Sequence, residues 1–478
     1  MQYEPVIGLE VHVQLNTKTK IFCSCSTRFG SSPNSQTCPV CLGLPGVLPV
    51  LNEKVLKKGI LAGLALNSEI TKHSKFDRKN YFYPDLPKAY QISQYDKPIC
   101  VGGYVDIKID NQEKRIGITR LHLEEDAGKL IHSEDPKKAV SYVDLNRTGT
   151  PLAEIVSEPD LRSGEEAYQY LQKIKTLMKY IDASDVNMEE GSLRCDVNIS
   201  LRELGTEPFG EKVEIKNLNS FKAVKAAIDY EITRQTKMLQ SEEKIVQETR
   251  LWDPSQNETY SMRSKEDAHD YRYFPEPDLA PIIIDEEYIE KLRQSLPELP
   301  QKKYKRFLEN YGLSEYDAEV LTGVKKLADY YEKVVQNSGD PKKASNWILS
   351  ELLAKVEDVE KIDSFMVTPQ MLAALLKLIA DNTISGKIAK TVLEEMVLSG
   401  KNPDVIVEEK GLKQVTDHGE IDSMISKVLE NNLKSVEDYK NGKEQALKFL
   451  VGQVMKESRG KANPQLVNEI LLKKLSNI

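Results

Sequence analysis

Between Leu121 and Pro159 the chain reads LHLEEDAGKLIHSEDPKKAVSYVDLNRTGTPLAEIVSEP, and it carries acids where a folded protein gains little from them unless they bind something. Alternate side chains of a strand point to opposite faces, so Leu121 and Leu123 go to a core while His122 and Glu124 line the other side. Glu125 and Asp126 follow at the strand end. Asp144, Asn146 and Glu154 come from a second segment that Gly149, Thr150 and Pro151 force to turn. Gathered carboxylates suit a hard divalent cation such as magnesium, which takes oxygen ligands, keeps several waters and positions phosphates. The chemistry this implies is cation-dependent.

Other stretches repeat the design. In PVIGLEVHVQL, Ile7, Leu9, Val11, Val13 and Leu15 share one face, and Gly8, Glu10, His12 and Gln14 share the other. Taken alone, that second face is equally what a half-exposed antiparallel strand carries. SLRCDVNISLR sets Leu193, Cys195, Val197, Ile199 and Leu201 against Arg194, Asp196, Asn198, Ser200 and Arg202, and VEIKN sets Val213 and Ile215 against Glu214 and Lys216. Several such strands point to one large concave sheet with a polar floor. Glu10, Glu124, Glu125 and Glu154 are of the right type for magnesium. His12 is softer than magnesium prefers, and would act through water or accept manganese.

A second metal chemistry stands apart. Cys23 and Cys25 precede Cys38 and Cys41 as a C-x-C and C-x-x-C pair, the spacing of a zinc knuckle. Four thiolates close a tetrahedron with no open position, so zinc here is structural. The competing reading is four free thiols in a flexible loop. Between Lys72 and Tyr95, Lys75, Arg78 and Lys79 can receive phosphates, and Tyr81, Tyr83 and Tyr90 stack on a base or anchor the loop. No G-x-x-x-x-G-K-[ST] loop is present, so ATP would have to be held by carboxylate-bound metal and basic side chains on the sheet. Nucleophilic catalysis has little support: Cys195 faces the core, Cys100 stands alone, and no G-x-S-x-G elbow occurs.

The elements that must position these residues follow from pattern. With 478 residues the chain is expected to form roughly two to four domains. Helices are expected near 52–66, with Asn52 as cap, and near 165–180 and 220–239; a hairpin is expected over IVQETRLWD and ETYSMRS. Prolines 275, 277 and 281 mark the end of the sheet domain. From Glu286 onward the periodicity is helical throughout, as in a bundle. A net charge of -8 argues against coating nucleic acid through phosphates, so any such contact is local. From Lys440 to Lys474, eight basic residues face three acidic ones, which reads as a solvated face or an RNA contact. No apolar run reaches the roughly 20 residues of a membrane span, so a cytoplasmic protein is expected.

On these residues the sequence resembles the GatB family, the B subunits of aspartyl/glutamyl-tRNA amidotransferase. VDLNRTGTPLAEIVSEPD carries the resemblance most strongly, with Thr148 where serine is more usual. IGLEVHVQL, KNYFYPDLPKAYQISQ, LHLEEDAGK, SLRCDVNISLR, VEIKNLNSF and AHDYRYFPEPDL also look like family motifs, and the likeness extends along the whole chain. It implies an α+β fold: a cradle domain around a large antiparallel sheet (1–293, with the knuckle near 23–41), an all-helical domain (294–407), and a small helical tail that contacts tRNA (408–478). It implies a ligase of protein biosynthesis that uses ATP and Mg2+ to phosphorylate glutamate or aspartate misacylated on tRNA-Gln or tRNA-Asn. Ammonia then comes from the family's glutamine-hydrolysing partner, the amidase, and the amidase (A) and small bridging (C) subunits complete a heterotrimer.

Carried over by motif, Glu10, His12, Glu124, Glu125 and Glu154 form the metal site, and Glu10, His12, Glu125 and Glu154 the catalytic set. Lys75, Arg78, Arg194, Asp196, Asn198 and Lys216 hold ATP or the aminoacyl end, or else are salt bridges of the sheet face. The four cysteines match zinc-bearing members. A non-catalytic tRNA-binding adaptor of the same complex is the second reading, and a free-standing ammonia ligase the third.

Overall fold

The structure, a computed structural model, describes residues 2–110, 112–133, 140–264, 270–415, 417–458 and 460–476. Positions 134–139 of the acidic segment, and Ala268 and His269 of the AHDYRYFPEPDL motif, lie outside the described residues. The chain divides into two compact units between Leu299 and Pro300.

The first unit is built on a ten-stranded sheet. Its central strands are β1 (Tyr3–Gln14), β2 (Gln112–Glu125), β3 (Pro151–Ser157), β4 (Leu193–Glu203), β5 (Val213–Lys216), β6 (Glu248–Asp253) and β7 (Glu258–Ser264). They lie side by side in the order β7-β6-β5-β4-β1-β3-β2. The pairs between them are antiparallel, as expected of a large antiparallel sheet, except that β5 and β6 run parallel. The cause is the helix that joins them, Phe221–Gln240, because parallel neighbours need a crossover that returns the chain to the same end.

Alternation decides what each strand buries. Ile7, Leu9, Val11 and Val13 of β1, Leu121 and Leu123 of β2, Ala153 and Ile155 of β3, and Leu193, Cys195, Val197 and Ile199 of β4 join one apolar core. Each aliphatic side chain of this size contributes about 1.5–3 kcal/mol on leaving water. Four helices belong to that core: α1 (Glu53–Ala65), α2 (Gly164–Tyr180), α3 (Phe221–Gln240) and α4 (Glu286–Ser295). The side chains of Asn52, Ser163 and Ser220 accept from backbone N–H groups of their first turns, which fixes where α1, α2 and α3 begin.

Two glycines set how closely α1 lies on the sheet. A Cβ on Gly59 would stand 2.8 Å from Leu123 Cδ2, and one on Gly63 would stand 2.2 Å from Cys100 Sγ. Leu123 and its neighbour Glu124 are thereby fixed from behind.

The second unit, Pro300–Ile478, is helical where described. It holds two separate apolar clusters, one spanning Phe307 to Val407 and one spanning Ile421 to Leu475. Within the basic stretch, Lys443 pairs with Asp438 and Lys474 with Asp422. Among the described residues, no helix is long and apolar enough to cross a membrane.

Candidate functional site

The face of the sheet opposite the core is polar across five adjacent strands. Register puts His122, Glu154, His12 and Arg194 in one row, on β2, β3, β1 and β4. Glu10 and Asp196 are direct partners in a neighbouring row, and Asn198 is the partner of Glu214 on β5.

The first row carries the densest chemistry. His12 Nε2 stands 3.3 Å from Glu154 Oε2 and 3.7 Å from Glu124 Oε1. His122 Nε2 stands 3.1 Å from the same Glu154 oxygen and 3.7 Å from Glu124 Oε2. Glu124 also accepts from Ser93 Oγ at 3.2 Å. His122, Glu124 and Glu154 are buried. Burial works against a charged ring at His122, but the Glu154 and Glu124 carboxylates outweigh it and push its pKa up to about 9. In His12 burial is likewise outweighed, chiefly by Glu154, and its pKa rises. Burial would raise the Glu154 pKa, yet His122 and His12 hold it well below the usual carboxylate range. Ligand atoms of His12, Glu124 and Glu154 lie within 4.8 Å of one another, a donor set that suits magnesium through its carboxylates and manganese through its imidazole.

Glu10 lies beside this cluster, in a second group with Asp196 and Glu214 whose ligand atoms are also within 4.8 Å. Asn198 Nδ2 donates to Glu10 at 2.9 Å; Lys216 Nζ donates to Asp196 at 2.5 Å and lies 3.0 Å from Glu214. Arg194 Nη2 donates to Asp126 at 2.8 Å, with Arg147 Nε 3.4 Å from the same carboxylate.

Glu125 is not brought to His12, Glu124 and Glu154. Neighbouring strand residues point to opposite faces, and the Glu125 side chain instead pairs with Lys88 and accepts from Ile92 N at 2.9 Å. A small cavity there is bordered by Lys20, Cys41, Lys88 and Glu125.

Of the cations read from the sequence, Lys75 is bound to Asp77 and Asp96 at 2.7 and 2.8 Å. Arg78 is bound through two nitrogens to Glu276 at 2.7 and 2.8 Å, and its guanidinium lies 4.2 Å from the Tyr90 ring centre. Both hold the local fold. Lys79, next along the short strand Asp77–Asn80, points the other way, its Nζ 4.7 Å from the Tyr271 ring centre and 5.9 Å from that of Tyr81. Burial would lower its pKa, but Glu124 foremost among nearby groups raises it. Lys79 is thus the cation of this segment that faces the acidic floor.

The four cysteines converge, their sulfurs all within 4.8 Å and Cys38 Sγ 3.9 Å from Cys41 Sγ. A tetrahedral zinc with bonds of about 2.3 Å separates its sulfurs by about 3.8 Å, so the set fits such an ion. A hydrogen bond from Cys23 holds the Cys41 thiol low, at about 4. The loop between the pairs is fastened to the turn before β3. Asn34 N donates to Asp144 Oδ1 at 3.0 Å, Leu145 N to Asn34 Oδ1 at 2.8 Å, and Gln36 N to Asn146 Oδ1 at 2.8 Å. Asp144 and Asn146 therefore serve the turn, whose Gly149 adopts φ +78°.

Sequence reasoning put His122 on the polar face without carrying it to the site, although the alternation that selected Glu124 selects His122 as well. It named Lys79 as a receiver of phosphates without separating it from Lys75 and Arg78. Asp126, Lys88 and Glu276 were missed as partners, since nothing local announces a contact across 68, 37 or 198 residues.

Residues 5–290 match the family described as the GatB/GatE catalytic domain, and residues 329–475 match one described as the GatB domain. The chain is 60% identical over 477 residues to the B subunit of the aspartyl/glutamyl-tRNA(Asn/Gln) amidotransferase from Caldanaerobacter subterraneus subsp. tengcongensis, with 100% of both chains covered. It is 58% identical over 479 residues to the protein of the same name from Carboxydothermus hydrogenoformans, again over 100% of both. For that of Geotalea daltonii the identity is 57% over 477 residues, covering 99% of this chain and 100% of the relative.

Proposed function

The chain belongs to the GatB family, and from that membership we propose that it activates, with ATP, the side-chain carboxylate of glutamate or aspartate misacylated on tRNA-Gln or tRNA-Asn. A carboxylate repels nucleophiles, and phosphorylation gives it a leaving group that ammonia displaces to form the amide.

The observation that carries this reading is the His12–Glu154–His122 row with Glu124 beside it. Two carboxylates and an imidazole buried beside a second, half-buried imidazole are costly unless they serve a ligand. Magnesium, when bound, neutralises charge on the transferring phosphoryl group. Glu124 and Glu154 would hold it, with His12 acting through water and Glu10 contributing from the adjoining Asp196–Glu214 group. Lys79, over the floor, takes phosphoryl oxygens. Arg194, Asp196, Asn198 and Lys216 keep the neighbouring strands' polar groups in register for ATP or the aminoacyl end.

The relatives are named as one of several subunits of an amidotransferase, which supports the amidase (A) and small (C) subunits as partners. Zinc in the four-cysteine knuckle is structural, and the cytoplasm is the compartment that its role in protein synthesis requires. The separate apolar clusters of the second unit support a helical domain at 294–407 and a tRNA-contacting tail at 408–478 after the cradle at 1–293. An adaptor without chemistry would have no use for that row.

The test is reconstitution with the amidase partners on Glu-tRNA-Gln and Asp-tRNA-Asn, with ATP and ammonia. Amide formation and ATP hydrolysis that both require misacylated tRNA are expected. ATP left intact with every component present rejects the reading.

A further inference from the structure

Lys20 is fully buried, and its amine abuts the four-cysteine knuckle at Cys41. An ammonium has three donors. Here they meet Gln36 O at 2.7 Å, Leu145 O at 3.5 Å and Cys41 Sγ at 3.7 Å. Among the described residues no carboxylate pairs with this amine. A cation buried among carbonyls alone is strongly unfavourable; the Glu125 carboxylate on the same cavity is paired with Lys88, and the negative group that this amine contacts is the Cys41 sulfur. Four thiolates around one divalent ion carry two net negative charges, buried on the Cys41 side, so each partner supplies what the other lacks.

The contact at Leu145 links this charge pair to the sheet. Leu145 O also accepts from Thr148 N at 3.1 Å, and Ile21 N, next to Lys20, donates to Gly149 O at 2.9 Å. Gly149 N donates in turn to Asp126 O at 2.9 Å, and Asp126 takes Arg194 of the polar floor. Pro151 then opens β3, the strand of Glu154.

We propose that Lys20 is the buried counter-charge of the four-thiolate metal site and the positioning residue through which metal occupancy holds the 145–149 turn, and with it the entry to β3. This rests on the four cysteines binding a metal.

The test uses the full chain loaded with zinc or, as a spectroscopic probe, cobalt(II). Lys20→Met is expected to shift the sulfur-to-cobalt charge-transfer band and to weaken metal retention against a chelator about tenfold or more, as loss of an outer contact to a metal site does. Lys20→Arg, which keeps the charge, is expected to recover retention. In the unmutated chain, stripping the metal is expected to speed amide exchange at Thr148 and Gly149 while that of Val11 stays put. A Lys20→Met protein with an unmoved band and unweakened retention overturns the proposal. If that variant does not fold, unchanged exchange at Thr148 and Gly149 on stripping overturns it. An unmutated chain that takes up neither zinc nor cobalt rejects the metal reading first, visibly before any variant is made, and the proposal with it.

Discussion

His12 Nε2 lies 3.3 Å from Glu154 Oε2, at a register where the two residues are direct partners across β1 and β3. One residue of slip in β1 would send His12 to the core face and away from Glu154. Glu154→Gln keeps shape and removes the charge that both imidazoles share. ATP turnover dependent on misacylated tRNA is expected to fall about 100-fold or more, with tRNA affinity unchanged. Turnover assays paired with filter binding read both; full turnover in the variant removes Glu154 from the cation site.

Glu125 gives the opposite-face control. It is buried and paired with Lys88, so Glu125→Gln leaves a buried ammonium without its counter-charge, at a cost of about 3–5 kcal/mol. Manganese affinity, read by titration calorimetry, is expected to stay within about twofold, because the side chain stands on the far side of the strand from His12 and Glu154. A large loss of metal affinity with intact stability would return Glu125 to the metal site.

For the knuckle, elemental analysis of purified protein is expected to find about one zinc per chain. Cys38→Ser should lose it and, because Asn34 and Gln36 fasten that loop to the turn at 144–146, should also increase protease sensitivity there. Protein free of zinc, and equally resistant with or without Cys38, contradicts a structural ion.

The polar floor was legible because a strand's period of two needs no tertiary information: SLRCDVNISLR and PVIGLEVHVQL declare their two faces residue by residue. The four cysteines were legible by spacing alone. What local pattern does not encode is parity in short strands and partners across the chain. Arg78 and Lys79 are both cations in a basic loop, and only pairing of Asp77–Asn80 with Tyr90–Ser93 and Phe274–Pro275 decides which faces Glu276 and which the acids. The parallel β5–β6 pair was hidden for the same reason, since VEIKN and ETRLWD alternate alike whichever way they run.

Glu231 shows how the floor is braced from the core side. It is fully buried on α3, accepting from Arg234 Nε and Nη2 at 2.8 Å each, from Gln235 Nε2 at 2.9 Å and from Thr259 Oγ1, with Arg250 Nε 3.2 Å away. Burial opposes its ionisation, but Arg234 and Thr259 outweigh it and lower its pKa. A carboxylate with a depressed folded pKa stabilises above its unfolded value of about 4.3, and that contribution is lost as pH falls through the folded value. Glu231→Gln strands the Arg234 guanidinium, while Arg250 keeps Glu248 at 2.6 Å, so about 3–5 kcal/mol is expected to go at pH 7. The deficit should shrink as pH drops below about 4.3, where the unfolded chain takes up the proton first, and vanish once pH has passed the depressed folded value. Urea unfolding followed by Trp252 fluorescence, in a Trp347→Phe background, measures it: Trp252 is buried on β6 opposite Thr259. A variant as stable as the parent at pH 7 would mean that the crossover between β5 and β6 is held by packing alone.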